Sequence, residues 1–121
     1  MKKLQLLAPP TYWRMPEKTR NKKYEGCGPG HLGNYFVPDT VWGLRITEAC
    51  RIHDHEYEIG ETMRDKRKAD LHLYRNIVVL IYQGNTKDKD ILRSRLKRAH
   101  MYYWFVKTFG RSAFYHNKEE F

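Results

Sequence analysis

Four glycines, Gly26, Gly28, Gly30 and Gly33, fall within eight consecutive positions. Glycine has the widest backbone freedom and loses the most entropy when held in regular structure, so this stretch is neither a helix nor a central strand. It is a loop whose backbone folds tightly. Such a loop can merely connect its neighbours, or cradle a phosphate on its N–H groups. It can also turn carbonyl oxygens inward around a hard cation such as calcium, which takes about six to eight oxygen ligands.

The rest of the chain is arranged around that loop. Before it, residues 1–23 are expected to be an irregular basic arm. Pro9, Pro10 and Pro16 interrupt any periodicity, and the basic run from Lys18 to Lys23 reads as solvated in preference to a binding patch. Met1-Lys2-Lys3 has the character of a signal-peptide n-region. Leu4 to Ala8 is then cut off by Pro9-Pro10, short of the roughly 7–15 apolar residues an h-region needs. Any export is therefore expected by another route: lysis, a dedicated secretion system, or carriage on a virus or phage particle. After the loop, residues 34–46 are mixed, with a break at Pro38.

Three helices are expected to follow, so the fold class is mainly α. The first has Thr47 as N-cap and runs to Ile59, with Gly60 at its C-cap. The second spans about Arg64 to Gln83, with Leu71, Tyr74, Val78 and Ile81 forming a buried stripe, and ends at Gly84-Asn85. The third opens near Asp88 or Asp90 and runs to Phe109, before Gly110. Ile91, Leu96, Tyr103, Phe105 and Val106 supply its apolar surface, and Arg93, Arg95, Lys97, Arg98 and Lys107 its basic one. The aromatic cluster Tyr102-Tyr103-Trp104-Phe105 is read as core in preference to an interfacial belt.

A chain of 121 residues is one domain, long enough to build its own core. Its organisation is read as the arm over 1–23, a catalytic core over 24–83, and a C-terminal helix and tail over 84–121. An apolar fraction of 40% argues against intrinsic disorder. No run approaches about 18 consecutive apolar residues, which excludes a spanning helix. A formal charge of +9 favours an anionic partner: a membrane surface, a nucleic acid or an anionic substrate.

Three groups of residues could carry chemistry on this frame. His53 and Tyr57 lie four apart and share a helix face, with Asp54 about 100° around the axis from His53. His53 could thus act as a general base while Asp54 reaches toward a cation held by a nearby loop. An ordinary polar helix with a structural histidine fits the same residues. Asp70 sits among Ala69, Leu71 and Leu73, where burial without a partner is expensive. Its partner is either a basic residue on a neighbouring helix or the N–H of His53. Cys27 lies in the glycine loop and Cys50 one turn before His53. A bridge between them would pin the loop to that helix; two buried thiols are the alternative in a reducing compartment.

Together these residues resemble the secreted phospholipase A2 superfamily. Its calcium loop, X-Cys-Gly-X-Gly, is matched by Gly26-Cys27-Gly28-Pro29-Gly30. Its active-site motif, Cys-X-X-His-Asp-X-X-Tyr, is matched from Cys50 to Tyr57. Lys68-Ala69-Asp70 and Gly28-Pro29-Gly30 are closest in style to the short forms of parvovirus capsid proteins, bacteria and phages. The resemblance covers about residues 24–82. It implies a Cys27–Cys50 disulfide and a Ca2+ ion on the carbonyls of Gly26, Gly28 and Gly30 and the Asp54 carboxylate. It also implies His53 as the base that activates water, Asp70 as its orienting acid and Tyr57 as a brace on Asp70. The implied activity is hydrolysis of the sn-2 ester of glycerophospholipids at a membrane interface, with an anionic phospholipid surface as partner. The chain departs from the family in having Ala49 at the first position of the Cys-Cys pair and Gly26 where a bulkier residue is usual. The interval from Gly30 to His53 is longer than in many animal forms, and no counterpart to their N-terminal interfacial helix is read.

Three other readings compete. A basic helical module binding nucleic acid or anionic lipid without catalysis accounts for the charge but not for the loop, Cys27, Cys50, His53, Asp54 and Asp70. A transition-metal phosphohydrolase would need further histidine ligands, for which His31, His72 and His100 are available. A lipase-like fold that binds lipid without turning it over is the third.

Overall fold

The computed structural model describes residues 5–24, 26–27, 38–116 and 118. The described residues are mainly helical, with six helices and one two-stranded sheet. Four of the helices are α1 (Pro10–Arg14), α2 (Glu17–Lys23), α3 (Thr47–Ile59) and α4 (Met63–Gln83). The others are α5 (Lys89–Phe109) and α6 (Arg111–Tyr115). The sheet is β1 (Thr40–Val41) paired antiparallel with β2 (Leu44–Arg45), Val41 opposite Leu44. The turn between the strands holds Trp42 at φ 47° and Gly43 at φ 78°, the left-handed pair that matches a tight hairpin.

Most of residues 10–23 is helical, which corrects for that stretch the expectation of an irregular arm. Prolines that break a helix interior also start helices, because a fixed φ suits the first turn and the missing N–H has no partner there. Pro10 is the first residue of α1, and Pro16 is the N-cap of α2. Tyr12 of α1 and Tyr24, the C-cap of α2, are buried against Ile52 of α3. The backbone of Leu7 is held from both sides by the Asn76 side chain, its N–H donating to Oδ1 at 2.7 Å and its carbonyl accepting from Nδ2 at 2.9 Å.

The three main helices fall close to the expected bounds, with local differences. Ile46, not Thr47, is the N-cap of α3, and the Thr47 hydroxyl donates to Asp39 at 3.3 Å. Gly60 ends α3 in an extended conformation, so glycine is there for space: a Cβ would meet the Phe114 ring at 2.8 Å. A capping box between Thr62 and Asp65 opens α4, and Asp88 caps α5 as expected. Of the expected stripe of α4, Ile81 is buried and Tyr74 and Val78 pack partly buried against the core, but Leu71 does not. Leu71 is 54% exposed, and the inner face carries Lys66, Asp70, Leu73, Asn76, Ile77 and Ile81. Helix α4 packs against both α3 and α5, and α6 folds back onto α3 and α5. The main core joins Cys27, Val41, Ile46 and Cys50 to Leu73, Ile77 and Ile81 of α4 and Ala99, Tyr102 and Val106 of α5. The aromatic cluster is divided: Tyr102 is buried, whereas Trp104 is 57% exposed.

Candidate functional site

Helices α3 and α4 meet at a buried polar cluster. His53 is fully buried and Asp70 is 2% exposed, and His53 Nε2 lies 2.8 Å from Asp70 Oδ1. The hydroxyl of Tyr57, one turn after His53, donates to the same oxygen at 2.7 Å. The other carboxylate oxygen accepts from Lys66 Nζ at 2.7 Å. Lys66 is itself buried and gives a second hydrogen bond to the Val106 carbonyl at 3.0 Å. Burial alone would raise the Asp70 carboxyl. The hydrogen bond and charge of His53, with the hydrogen bonds from Lys66 and Tyr57, outweigh it and hold the group below its ordinary range. Asp70 is therefore an anion, and the imidazole N–H that faces it is the one on Nε2, which leaves Nδ1 as the basic nitrogen. Burial, and then the Asp70 charge, push the Tyr57 phenol upward, so it acts only as a donor.

Of the two partners considered for Asp70, His53 is in place, and the cation comes from Asp70's own helix, one turn earlier, not from a neighbouring one. Lys66 was not singled out by its sequence, although the four-residue spacing to Asp70 is the available signal. Three further contributors were also missed. Gly110 passes so close to the site that a Cβ there would stand 2.5 Å from the Tyr57 hydroxyl. Phe114 of α6 closes the outer side, its ring edge-on to Tyr57 at 5.3 Å. Lys118 donates to the Tyr57 carbonyl.

The loop end of the site is anchored by the Cys27–Cys50 disulfide, with Cα atoms 5.1 Å apart and both residues fully buried. Asp39, which the sequence reading passed over, accepts from the Cys27 N–H at 2.8 Å. Gly26 takes φ 107°, and a Cβ there would meet Thr47 at 2.9 Å and Asp39 at 3.1 Å, so both conformation and space require glycine. Gly28 and Gly30 lie outside the described residues, as does His31. Asp54 is half-buried on α3 and near enough to Tyr57 and Tyr24 for its charge to raise both phenols. His72 pairs with Glu56, and His100 packs edge-on to Tyr74. No group of three histidine, cysteine or carboxylate side chains able to hold a metal is found among the described residues.

Comparison with protein-family models, with curated proteins and with solved structures returns no match.

Proposed function

We propose that this protein hydrolyses the sn-2 ester of glycerophospholipids, releasing a fatty acid and a lysophospholipid. The observation that carries the reading is the contact of His53 Nε2 with Asp70 Oδ1 at 2.8 Å, braced by the Tyr57 hydroxyl. Asp70 accepts a hydrogen bond from the Nε2–H and so presents Nδ1 as a base. His53 Nδ1 takes a proton from a water, whose oxygen attacks the sn-2 carbonyl carbon. Asp70 stabilises the imidazolium that forms. As the tetrahedral centre collapses, the ester C–O bond breaks and the proton on Nδ1 passes to the leaving alkoxide of the lysophospholipid. Atoms and charge balance with one water consumed.

A hard cation suits the donors offered near the disulfide. Gly26 contributes main-chain oxygen and Asp54 a carboxylate, the oxygen chemistry calcium prefers. Gly26, Gly28, Gly30 and Asp54 are the residues that would hold Ca2+. When bound, it would supply positive charge to the ester carbonyl and the lipid phosphate. The chain's contribution is to tie the loop that carries these carbonyls to α3, one turn from His53, through Cys27–Cys50.

The surface it would meet is anionic lipid. Arg93, Lys97, Met101, Trp104 and Lys107 follow one another at three- and four-residue spacing on the exposed side of α5. That stripe combines cations with apolar side chains, which suits a charged interface. No helix among the described residues is long and apolar enough to cross a membrane.

The test is release of fatty acid from mixed anionic phospholipid vesicles by the oxidised full chain, with calcium and with chelator. Calcium-dependent release of the sn-2 chain, reduced at least about a hundredfold in His53→Asn, is expected. Absence of release by folded wild type, or release that His53→Asn leaves unchanged, overturns the reading. In that case a steep loss of DNA affinity with salt would move the weight to nucleic-acid binding.

A further inference from the structure

Helices α4 and α5 leave an open groove of about 480 Å³ along their seam, within the size range of small-ligand sites. Tyr74, Val78 and Tyr82, at four-residue spacing on α4, form one wall. Arg93, Leu96, Lys97 and His100 of α5 form the other. The Tyr74 and His100 rings meet edge-on at 5.3 Å and close one end. Tyr82, eight residues further along α4, stands about 12 Å from Tyr74 and is 59% exposed. Between them Val78 and Leu96 pack partly buried against the main core, so the floor is apolar. An apolar groove left open to water is a common mark of a binding surface.

The charge of the rim selects the ligand. Arg93 and Lys97 stand one turn apart on the α5 wall, and no carboxylate is among the described residues that line the groove. Their aliphatic stems can lie along the apolar floor while the charged heads stay at its edge. The match is an amphiphile with one aliphatic chain and an anionic head. The rim repels a cationic head, and a neutral head gains nothing from its charge. The balance of charge also limits the anion. Asp90 lies 3.9 Å from the Arg93 guanidinium and offsets part of its charge. A phosphate monoester carries close to two negative charges, and Asp90 opposes the second. A carboxylate carries one, and it fits the guanidinium fork.

We propose that the α4–α5 groove binds the monomeric anion of a fatty acid, its chain along Val78 and Leu96 and its carboxylate at Arg93 and Lys97. The assignment goes beyond the hydrolytic reading. It needs no calcium, no vesicle and no residue of the His53–Asp70 cluster, so either idea can fail without the other.

The experiment is an NMR titration of the full chain, without vesicles, with octanoate, 1-octanol, octyl phosphate and octyltrimethylammonium as monomers. It is read at the His100 ring and at the Val78 and Leu96 methyl groups. Saturable shifts at all three are expected with octanoate. 1-Octanol should bind about tenfold more weakly, the worth of two partly exposed ion pairs. Octyl phosphate should bind no more tightly than octanoate, and octyltrimethylammonium should bind more weakly than 1-octanol. Arg93→Gln/Lys97→Gln, at two exposed positions, should bring octanoate down to the affinity of 1-octanol and leave 1-octanol within about twofold. Tyr82→Ala removes an exposed part of the apolar wall and should weaken both ligands by the same factor, about threefold. Equal affinity of wild type for octanoate and 1-octanol, octanoate binding unchanged in the double variant, tighter binding of octyl phosphate or the ammonium, or no saturation at the three probes would each overturn the proposal.

Discussion

Asp70 is held by three donors, and they are not equivalent. Tyr57 and His53 donate to Oδ1, whereas Lys66 brings its ammonium to Oδ2 in a setting where both partners are almost fully enclosed. Removing one member of such a pair leaves an uncompensated buried charge, which costs roughly 3–5 kcal/mol, whereas replacing both is often close to neutral. Asp70→Asn alone and Lys66→Met alone should each lose a large share of stability, and the double variant should recover most of it. A urea-denaturation cycle measures this; additive losses would show that the pair is not coupled. The pH dependence has a definite sign. The folded carboxyl lies below its ordinary 3.8, so its contribution is fully present above that value and disappears as pH falls through the lower, folded one. Wild type should thus lose stability steeply below about pH 4, and Asp70→Asn should lose less over the same range.

The cluster also marks where the residue pattern was and was not readable. The contact of His53 with Asp70 was legible because an acidic group beside apolar neighbours needs a partner and the imidazole N–H was one of two candidates, whereas the Tyr57 brace was implied only by the resemblance to the phospholipase A2 superfamily. Lys66 and Asn76 were not legible. A helix that buries Lys66, Asp70 and Asn76 on its inner face breaks the apolar periodicity by which a buried face is recognised, and of the expected stripe only Leu71 is exposed in the fold. That break in α4 is thus the trace of the polar cluster itself.

Among the elements, the disulfide does the work that length and hydrophobicity cannot do for a glycine-rich loop. It spans 23 positions and joins the loop to α3 inside the main core. On the chain-entropy account, a cross-link of that span is worth about 3 kcal/mol. Cys27→Ala/Cys50→Ala should unfold at lower denaturant by that order, and reduced wild type should match it. If the two differ little from oxidised wild type, the core alone positions the loop. The ends of α3 and α5 were legible because Gly60, Asp88 and Gly110 punctuate them. The arm was not, since the same three prolines that interrupt a pattern also start α1 and α2, and only the packing of Tyr12 and Tyr24 against Ile52 decides which role they take.

At the scale of the whole molecule, the excess of cations becomes directional through α5. Its inner side is committed to Ala99, Tyr102 and Val106, which sit in the core, so its cations cannot be internal partners on that side. Arg93 pairs with Asp90 at 3.9 Å between exposed groups, a contact worth little in water. Arg95 is spent on the Trp42 carbonyl, at 2.9 Å, and serves the fold. The exposed cations Arg93, Lys97 and Lys107 therefore remain available to a surface, each worth about 1 kcal/mol against an anionic leaflet. Reversing all three to Glu should abolish binding to phosphatidylserine-containing vesicles, since each reversal replaces attraction with repulsion. The melting temperature should stay near that of wild type, because none of the three is buried. Trp104→Ala should weaken the same binding by a smaller, salt-insensitive step, because its 57% exposed ring contributes area and no charge. Salt thus separates the two contributions: raising it should erase the difference between wild type and the charge-reversed chain while leaving the Trp104 step in place. Binding that survives the reversal at low salt would place the lipid-facing surface elsewhere than on α5.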